Sequence, residues 1–369
     1  MALDRLTIEA MFRAAVAACD PVKRVRAHLA AAPVHGRLIY GLAIGKAALA
    51  MARGAGPVFH GVCVTNSLDH LPVPKGWYVI ESSHPVPDER SLAAADAVID
   101  LVATAGPEDA VLALISGGAS ALVERPIAGL SLDRFVAEIR EISEGGAAIH
   151  ELNAARIARS QIKGGKLAEG CAAPVVTLVA SDVIGDDLHV VGSGPTCTTR
   201  PQDRCELVIP MKAFFDAFVA EARHHTTALA YSSHPMTESV VECAAHIYAS
   251  AHGSPYFQWG EPTIALPVGY GTGGRAQQLA LELAKRISGQ DLVAFVAGTD
   301  GQDGPKPVDR PAPAGAFVDG TTWRAIRQAG IEPTQALVRC DAGPALAAVG
   351  ALFYTQATGI NHSDVMVIG

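Results

Sequence analysis

Two cations follow glycines at points where an apolar run gives way to a helical pattern. Lys46 follows Gly45 after RLIYGLAI, and Arg275 follows GYGTGG after TIALPV. The first turn of a helix offers free backbone N–H groups and the positive end of the helix dipole, so a cation there could help bind a phosphate or a carboxylate. The alternative is a solvated side chain on a first turn. A Walker A motif is excluded, because Gly41 and Gly45 are only four residues apart and alanine follows Lys46.

The glycine stretch before Arg275 has the spacing G-x-G-x-x-G from Gly269. Glycine lets the backbone approach a ligand closely, so we predict that Gly271, Gly273 and Gly274 bind an anion. An ordinary strand-to-helix turn is the alternative. A dinucleotide fingerprint would place an acidic residue about 20 residues further on. Asp300 comes later than that, so phosphoryl chemistry is favoured over hydride transfer.

Small polar residues follow a third apolar run, DAVLALI. Small side chains leave the backbone N–H groups accessible to an anion. We therefore predict that substrate or nucleotide is bound by Ser116, Gly117, Gly118 and Ser120. The G-x-S-x-G elbow of serine hydrolases is missing. His84, in SSHPVPDERS, could orient a substrate or cap the helix that follows it.

Aspartates follow two further apolar runs. Asp182, Asp186 and Asp187 come after PVVTLVAS, and Asp300 and Asp303 come after DLVAFVAGT. Carboxylates at strand ends could hold Mg²⁺ or accept a proton. The alternative is that they only form turns, in which Asp and Gly are common.

The order of the elements predicts an α/β protein. Apolar strand-like runs alternate with helical patterns, which indicates a Rossmann-like parallel sheet flanked by helices in the N-terminal part, with ligands beyond the carboxyl ends of its strands. The pattern weakens between about residues 197 and 258 and then resumes. We therefore predict two α/β domains, 1–235 and 236–369, with the active site in the cleft between them. The proline-rich stretch 306–315 is predicted to be an exposed loop.

Composition narrows the class of partner. A chain of 369 residues with 49% hydrophobic and 18% charged residues is typical of a compact two-domain enzyme. The net charge of −8, without a basic run, argues against nucleic acid and anionic membranes. No apolar run approaches the roughly 20 residues that a bilayer requires. Seven scattered cysteines without a C-x-x-C pair argue against a disulfide framework. We expect a cytoplasmic protein that acts on a small molecule.

A set of motifs occurs in a fixed order along the chain: GLAIGKAALAMA, SSHPVPDERS, SGGASALVERP, HELNAARIARSQIKGGKLA, SDVIGDDLHVVGSGPT, GGRAQQLAL, AGTDGQDGP, GAFVDGTT and TGINHSDV. In this order they resemble the glycerate 2-kinase family with its C-terminal MOFRL domain. The resemblance runs from about residue 36 to the end. It implies phosphorylation of D-glycerate at the 2-hydroxyl with ATP and Mg²⁺, giving 2-phosphoglycerate.

The resemblance also assigns roles. The family's catalytic lysine falls on Lys46 and its catalytic arginine on Arg275. By the same resemblance, Lys163 of IKGG contacts phosphates or the glycerate carboxylate, as does the SGGAS loop. The roles of the aspartates are our own expectation: Asp182 or Asp187, and Asp300, hold Mg²⁺, and an aspartate, for which we choose Asp187, helps to deprotonate the attacking hydroxyl.

The chain departs from the family pattern near these residues. Ala276 and Gln278 stand where the family carries asparagine and glutamate, Ile157 and Ala158 replace lysine and histidine, and Ala119 replaces a glycine. Three alternatives therefore stay open: a kinase for another small 2-hydroxy or sugar acid, a non-catalytic member, and, outside the family, an NAD-dependent hydroxypyruvate reductase. The oligomeric state is open too, with a homodimer as one alternative.

Overall fold

The structure is a computed structural model that describes residues 3–68, 71–146, 149–251, 253–305 and 311–369. The predicted loop at 306–315 therefore lies partly outside the described residues. The chain divides into two compact units. Cys19–Met211 form the parallel-sheet unit, and Met1–Ala18 together with Lys212–Gly369 form the mixed-sheet unit.

The described helices are α1 (Arg5–Ala18), α2 (Pro21–Ala31), α3 (Ala48–Ala55), α4 (Glu89–Thr104), α5 (Ala119–Leu122), α6 (Leu132–Glu144), α7 (Ile149–Ala158), α8 (Lys166–Glu169), α9 (Ala213–Ala222), α10 (Val240–Ser250), α11 (Arg275–Arg286), α12 (Thr322–Gln328), α13 (Pro333–Val338) and α14 (Ala342–Ala347). A single 3₁₀ turn spans Val191–Ser193. The described strands are β1 (Ile39–Ile44), β2 (His60–Thr65), β3 (Trp77–Glu81), β4 (Ala110–Ser116), β5 (Val175–Ala180), β6 (Arg204–Ile209), β7 (Ala230–Tyr231), β8 (Tyr256–Gly260), β9 (Val293–Gly298), β10 (Gly315–Asp319), β11 (Leu352–Phe353) and β12 (Asp364–Ile368).

The parallel-sheet unit contains six parallel strands in the order β3-β2-β1-β4-β5-β6. Every residue of β4 and β5 is buried, as expected for strands covered by helices on both faces. From β1, the chain order runs outward to β2 on one side and to β4 on the other. This reversal is the position at which open α/β sheets bind ligands, outside the carboxyl ends of the strands. The predicted α/β class and Rossmann-like sheet are confirmed.

The mixed-sheet unit contains a second six-stranded sheet, in the order β11-β10-β9-β12-β8-β7. Its pairs are antiparallel except β7 with β8. On α11, apolar residues recur at helical spacing and are buried in the core of the unit, among them Ala276, Leu279, Ala280 and Leu283. The second unit therefore also combines helices with a sheet, as predicted, although the sheet is mainly antiparallel.

The division of the chain differs from the predicted boundary after residue 235. Helix α1 belongs to the mixed-sheet unit because the ring of Phe12 packs on Phe214, Phe295 and Phe353, with centroids 5.0, 6.0 and 5.3 Å away. Strand β7 pairs with β8 in the same unit. These contacts join residues that are far apart in the sequence, and the local sequence pattern therefore does not reveal them.

Two further findings concern the cysteines and membranes. Cys197 and Cys205 form a disulfide with their Cα atoms 5.6 Å apart, whereas the other five cysteines are free. This single disulfide was not indicated by the scattered spacing of the cysteines. Among the described residues, no helix is both long enough and apolar enough to span a bilayer.

Candidate active site

Lys46 lies at the reversal of the strand order, directly beyond β1. Its backbone N–H donates to the carbonyl of Gly117 at 2.9 Å, and the N–H of Ala47 donates to Ser116 Oγ at 3.1 Å. Gly45 has a φ of +135°, and a side chain there would overlap Ser116. Ser116, predicted to bind a ligand, thus uses its hydroxyl to hold the turn that presents Lys46. The ammonium-bearing side chain itself is exposed.

His84 and Lys46 flank Gly118. A Cβ atom on Gly118 would lie 3.0 Å from His84 Cδ2 and 3.2 Å from Lys46 Cγ, and Gly118 has a φ of +84°. Glycine is required here both by the backbone conformation and by this close approach. Burial, followed by the charge of Lys46, lowers the pKa of His84 to about 4, so the imidazole is neutral at pH 7.

Asp182 joins this group from the end of β5. Its carboxylate lies against Gly117, where a side chain would overlap it. The structure therefore brings together Lys46, the Gly117–Gly118 turn and Asp182, which follow the neighbouring strands β1, β4 and β5, with His84, which follows β3.

Asp187 lies elsewhere. Its side chain is exposed, its Oδ1 accepts the N–H of His189 at 2.9 Å, and its carbonyl accepts the N–H of Val190. These contacts shape a turn, and Asp187 is not part of the lining of the cavity described next. The predicted catalytic role of this residue gains no support from its position.

A cavity of about 520 Å³ opens beside this group in the parallel-sheet unit. His84, Gly118, Ser120 and Asp182 line it. The hydroxyl of Ser120 lies 3.1 Å from that of Ser193, which has a φ of +63°. A left-handed backbone at a residue other than glycine is costly and is concentrated at functional sites.

The structure corrects the role expected of Lys163. The side chain is 1% exposed, and its ammonium forms an ion pair with the carboxylate of Glu124, which is 0% exposed. Ser160 Oγ donates to the other carboxylate oxygen at 2.6 Å. Lys163 is therefore paired inside the unit and is not part of the cavity lining.

Two cavity residues were missed as site residues, Asn153 and Arg156. Both lie on α7 and line the cavity. Their spacing of three places them on one face of a helix, so the polar residues of HELNAARIARS at i and i+3 were the available signal.

The glycine stretch before Arg275 differs from the prediction. The N–H groups of Ala276 and Gln277, at the start of α11, donate to the two carboxylate oxygens of Asp303 at 3.0 and 2.8 Å. The predicted anion at this helix N-terminus is therefore a carboxylate of the chain itself. Gly274 is needed because a side chain there would overlap Asp303.

The other two predicted glycines also pack against the chain. A Cβ atom on Gly271 would overlap Asp341, and one on Gly273 would lie 3.0 Å from the backbone nitrogen of Gly343. The expected phosphate cradle at these glycines is thus replaced by close packing within the mixed-sheet unit.

Arg275 keeps a guanidinium that is one third exposed. It pairs with Glu261, and its Nε lies 3.3 Å from Oδ2 of Asp364. Although burial lowers the pKa of Arg275, the charges of Asp364 and Glu261 outweigh burial and raise it. Burial raises the pKa of Asp364 to about 7, against the opposing effect of Arg275. Asp364 is a buried partner that the sequence analysis did not identify.

Asp300, predicted to bind metal, forms a turn in which its Oδ1 accepts the N–H of Gln302 at 2.9 Å. Within the described ranges, no group of three or more His, Cys, Asp or Glu side chains is arranged to hold a metal ion. Mg²⁺ usually needs only one or two carboxylates, with waters and substrate phosphates as its other ligands. Asp182, whose carboxylate lies against Gly117 beyond the end of β5, can supply one such carboxylate.

Comparison with known proteins gives consistent results. Residues 7–224 match the family described as Domain of unknown function (DUF4147), and residues 256–364 match the MOFRL family. A D-glycerate 2-kinase of Thermotoga maritima is 32% identical over 378 residues, covering 88% of this chain and 89% of that protein. A protein of Agrobacterium vitis, provisionally named a hydroxypyruvate reductase, is 33% identical over 380 residues, with coverages of 88% and 97%.

A solved structure extends the similarity to the fold. The crystal structure of a glycerate kinase from Thermotoga maritima matches with a TM-score of 0.87 at 29% sequence identity, covering 99% of this chain and 98% of that chain. The DUF4147 match alone spans more than half of the chain. The chain therefore belongs to the glycerate 2-kinase family, with DUF4147 and MOFRL regions, and is a phosphotransferase with an alcohol group as acceptor.

Proposed function

We propose that this protein transfers the terminal phosphoryl group of ATP to the 2-hydroxyl of D-glycerate, giving 2-phosphoglycerate. The observation that carries the proposal is the grouping of Lys46, Gly118 and Asp182, beyond β1, β4 and β5, with His84, which follows β3. A cation, backbone donors of a glycine turn and a carboxylate that can hold a metal ion are groups that phosphoryl-transfer sites use. The names of the relatives, D-glycerate 2-kinase and glycerate kinase, point to the same substrate.

Lys46 would act electrostatically. Charge in phosphoryl transfer is spread over the oxygens of the transferring group, so the protein contributes mainly positioning and positive charge. The exposed ammonium of Lys46 sits on a turn fixed by two hydrogen bonds, so little reorganisation is needed when the phosphoryl group binds.

Arg275 would act as the second catalytic cation that the family resemblance implies. Its guanidinium is one third exposed and is held by Glu261 and Asp364, which restrict its orientation. A guanidinium suits phosphate because its planar fork donates two parallel hydrogen bonds.

Asp182 would hold Mg²⁺ together with the phosphates of ATP. The ion, when bound, neutralises negative charge on those phosphates. His84 is neutral at pH 7 and can therefore hydrogen-bond a substrate hydroxyl without adding a charge. With its pKa near 4 it is a weak base, which suits a reaction in which the attacking hydroxyl loses its proton late.

Identification of the reaction product tests this proposal. The purified protein is incubated with Mg²⁺, ATP and D-glycerate, and ³¹P NMR distinguishes 2-phosphoglycerate from the 3-phosphate. Omitting Mg²⁺ tests the metal requirement. ADP release with another hydroxy acid, but not with glycerate, would instead identify a kinase for that acid. ADP release with none would support a non-catalytic member.

Hydroxypyruvate reduction is the second candidate, raised by the name of the Agrobacterium relative. One observation disfavours it. The G-x-G-x-x-G stretch from Gly269 leads into α11, in which the N–H groups of Ala276 and Gln277 donate to Asp303 and are not available to a dinucleotide. Loss of NADH absorbance on adding hydroxypyruvate would reverse this ranking.

We also propose a cytoplasmic location, which fits the acidic composition and the small phosphorylated substrates. Fractionation of the source cells tests it. A homodimer is one alternative for the oligomeric state. Light scattering coupled to gel filtration would measure the mass in solution.

A further inference from the structure

Arg156 is a half-buried cation on α7. Its side chain lines the cavity of the parallel-sheet unit, and burial lowers its pKa, against the opposing charge of Glu124. Among the described residues, no carboxylate forms a salt bridge with its guanidinium. A half-buried charge facing a cavity calls for an anion from outside the chain.

The nearest buried carboxylate is already engaged. One oxygen of Glu124 contacts the ammonium of Lys163, and the other accepts from Ser160 Oγ. Lys166 adds a further positive charge next to α7. Its ammonium donates to the carbonyls of Ile157 and Ser160 at 2.6 Å each. Arg140, Glu144 and Asp182 also line the cavity, but the carboxylate whose charge acts on Arg156 is that of Glu124, and it is already paired with Lys163.

Neutral donors surround the same space. Asn153, one turn before Arg156 on α7, is 8% exposed and lines the cavity. The hydroxyls of Ser120 and Ser193 line it too. Phe135 and Ile139 contribute apolar surface. A guanidinium with an amide beside it suits a carboxylate, which it can bind through two parallel hydrogen bonds.

We propose that Arg156, assisted by Asn153, binds the carboxylate of the acid substrate. This inference rests on the proposed function, and it identifies the residue that makes the enzyme specific for acids. The same cavity is lined by His84 and Gly118 beside Lys46, so an acid held by Arg156 has its hydroxyl in the space that faces the catalytic lysine. Lys163, by neutralising Glu124, leaves Arg156 free for the substrate.

The experiment compares Arg156→Gln and Arg156→Lys with the unmodified protein. KM is measured for D-glycerate, for its uncharged amide and for ATP. We expect Arg156→Gln to raise the KM for glycerate about 10- to 100-fold, as for a lost charged hydrogen bond. The KM values for the amide and for ATP should change less than about twofold, and Arg156→Lys should recover part of the loss. Arg134→Gln is the matched control, because Arg134 is an exposed arginine on α6 that is not part of the cavity lining.

Two results would overturn the inference. An unchanged KM for glycerate in Arg156→Gln would remove the subsite, and a raised KM for ATP alone would assign Arg156 to the nucleotide. Calorimetry of D-glycerate and other small hydroxy acids, without ATP, tests the Arg156 subsite separately from the proposed kinase activity. If an acid binds, and Arg156→Gln abolishes binding, but no ADP forms, the kinase proposal fails and the subsite stands. If no acid binds to the unmodified protein, the subsite is wrong.

Discussion

The buried carboxylate of Asp364 lies 3.3 Å from Nε of Arg275, at the first residue of helix α11. The preceding residue, Ser363, has a φ of +58°, so the backbone is held in an unfavourable conformation where β12 begins. The mixed-sheet unit thus keeps a costly buried charge beside the predicted catalytic arginine. Its effect should be measurable both in stability and in activity.

Asp364→Asn should stabilise the protein more at pH 8 than at pH 5. Burial raises the pKa of Asp364 from 3.8 to about 7. Between those values the folded chain keeps the proton that the unfolded chain loses, so the penalty for the buried charge grows as pH rises and is complete above about pH 7. Urea unfolding at the two pH values measures the difference. An equal effect of the substitution at both would contradict this account.

The same substitution should lower kcat. Arg275 would keep Glu261 but lose the buried carboxylate at its Nε, so the guanidinium would be less well oriented. We expect about a tenfold loss, comparable to other losses of an orienting partner. Arg327→Ala, which removes an exposed arginine paired with Glu332, is the control and should leave kcat unchanged.

Gly274→Ala should destabilise the protein by about 1–3 kcal/mol, because the added methyl group would overlap the carboxylate of Asp303 that caps α11. Gly170→Ala is the matched control. Its methyl group would find no atom closer than 3.6 Å, and its φ of −74° is compatible with alanine. Thermal unfolding of the two variants gives the comparison, and equal stability would argue against the cap.

The buried pair of Lys163 and Glu124 should behave differently from an exposed pair. Lys163→Met or Glu124→Gln alone leaves a buried charge without its partner and should cost about 3–5 kcal/mol. The double variant should cost clearly less than the sum. Arg134→Ala removes the exposed pair with Glu138 and should cost about 0.5 kcal/mol or less. Additive single effects for the buried pair would show that the two charges do not interact.

His84 should remain neutral down to about pH 5. Burial and the charge of Lys46 lower its pKa to about 4, so its ring resonances should not titrate near pH 6.5. NMR titration checks this, with His84→Gln to assign the signal. Lys46→Met should raise the pKa of His84, because it removes the neighbouring positive charge. A midpoint near 6.5 in the unmodified protein would show that the ring is solvated.

The parallel sheet and the place of Lys46 could be predicted from the sequence because they depend on local pattern. Buried strands such as β4 read as continuous apolar runs, and a lysine after a glycine at the end of such a run must lie at the carboxyl edge of the sheet. The order of strands at this edge then makes it a binding site.

The partners of individual charges could not be predicted in this way. Glu124 and Lys163 are 39 residues apart, and Asp303 is 27 residues beyond the N–H of Ala276 that it accepts. Only tertiary contacts decide whether a lysine faces a ligand or a buried carboxylate, and whether a helix N-terminus binds an external anion or an aspartate of the chain. The local sequence motif is the same whether the residue contacts an external ligand or a carboxylate of the chain.

The most direct test of the central claim is phosphoryl transfer by the purified protein and by Lys46→Ala and Arg275→Ala, with Mg²⁺, ATP and D-glycerate. Lys75→Ala, at an exposed lysine, is the control. The account predicts 2-phosphoglycerate from the unmodified protein and the control, and a loss of kcat of about 10²–10³-fold in each of the other two variants. Full activity in either variant, or no 2-phosphoglycerate from the unmodified protein, would contradict it.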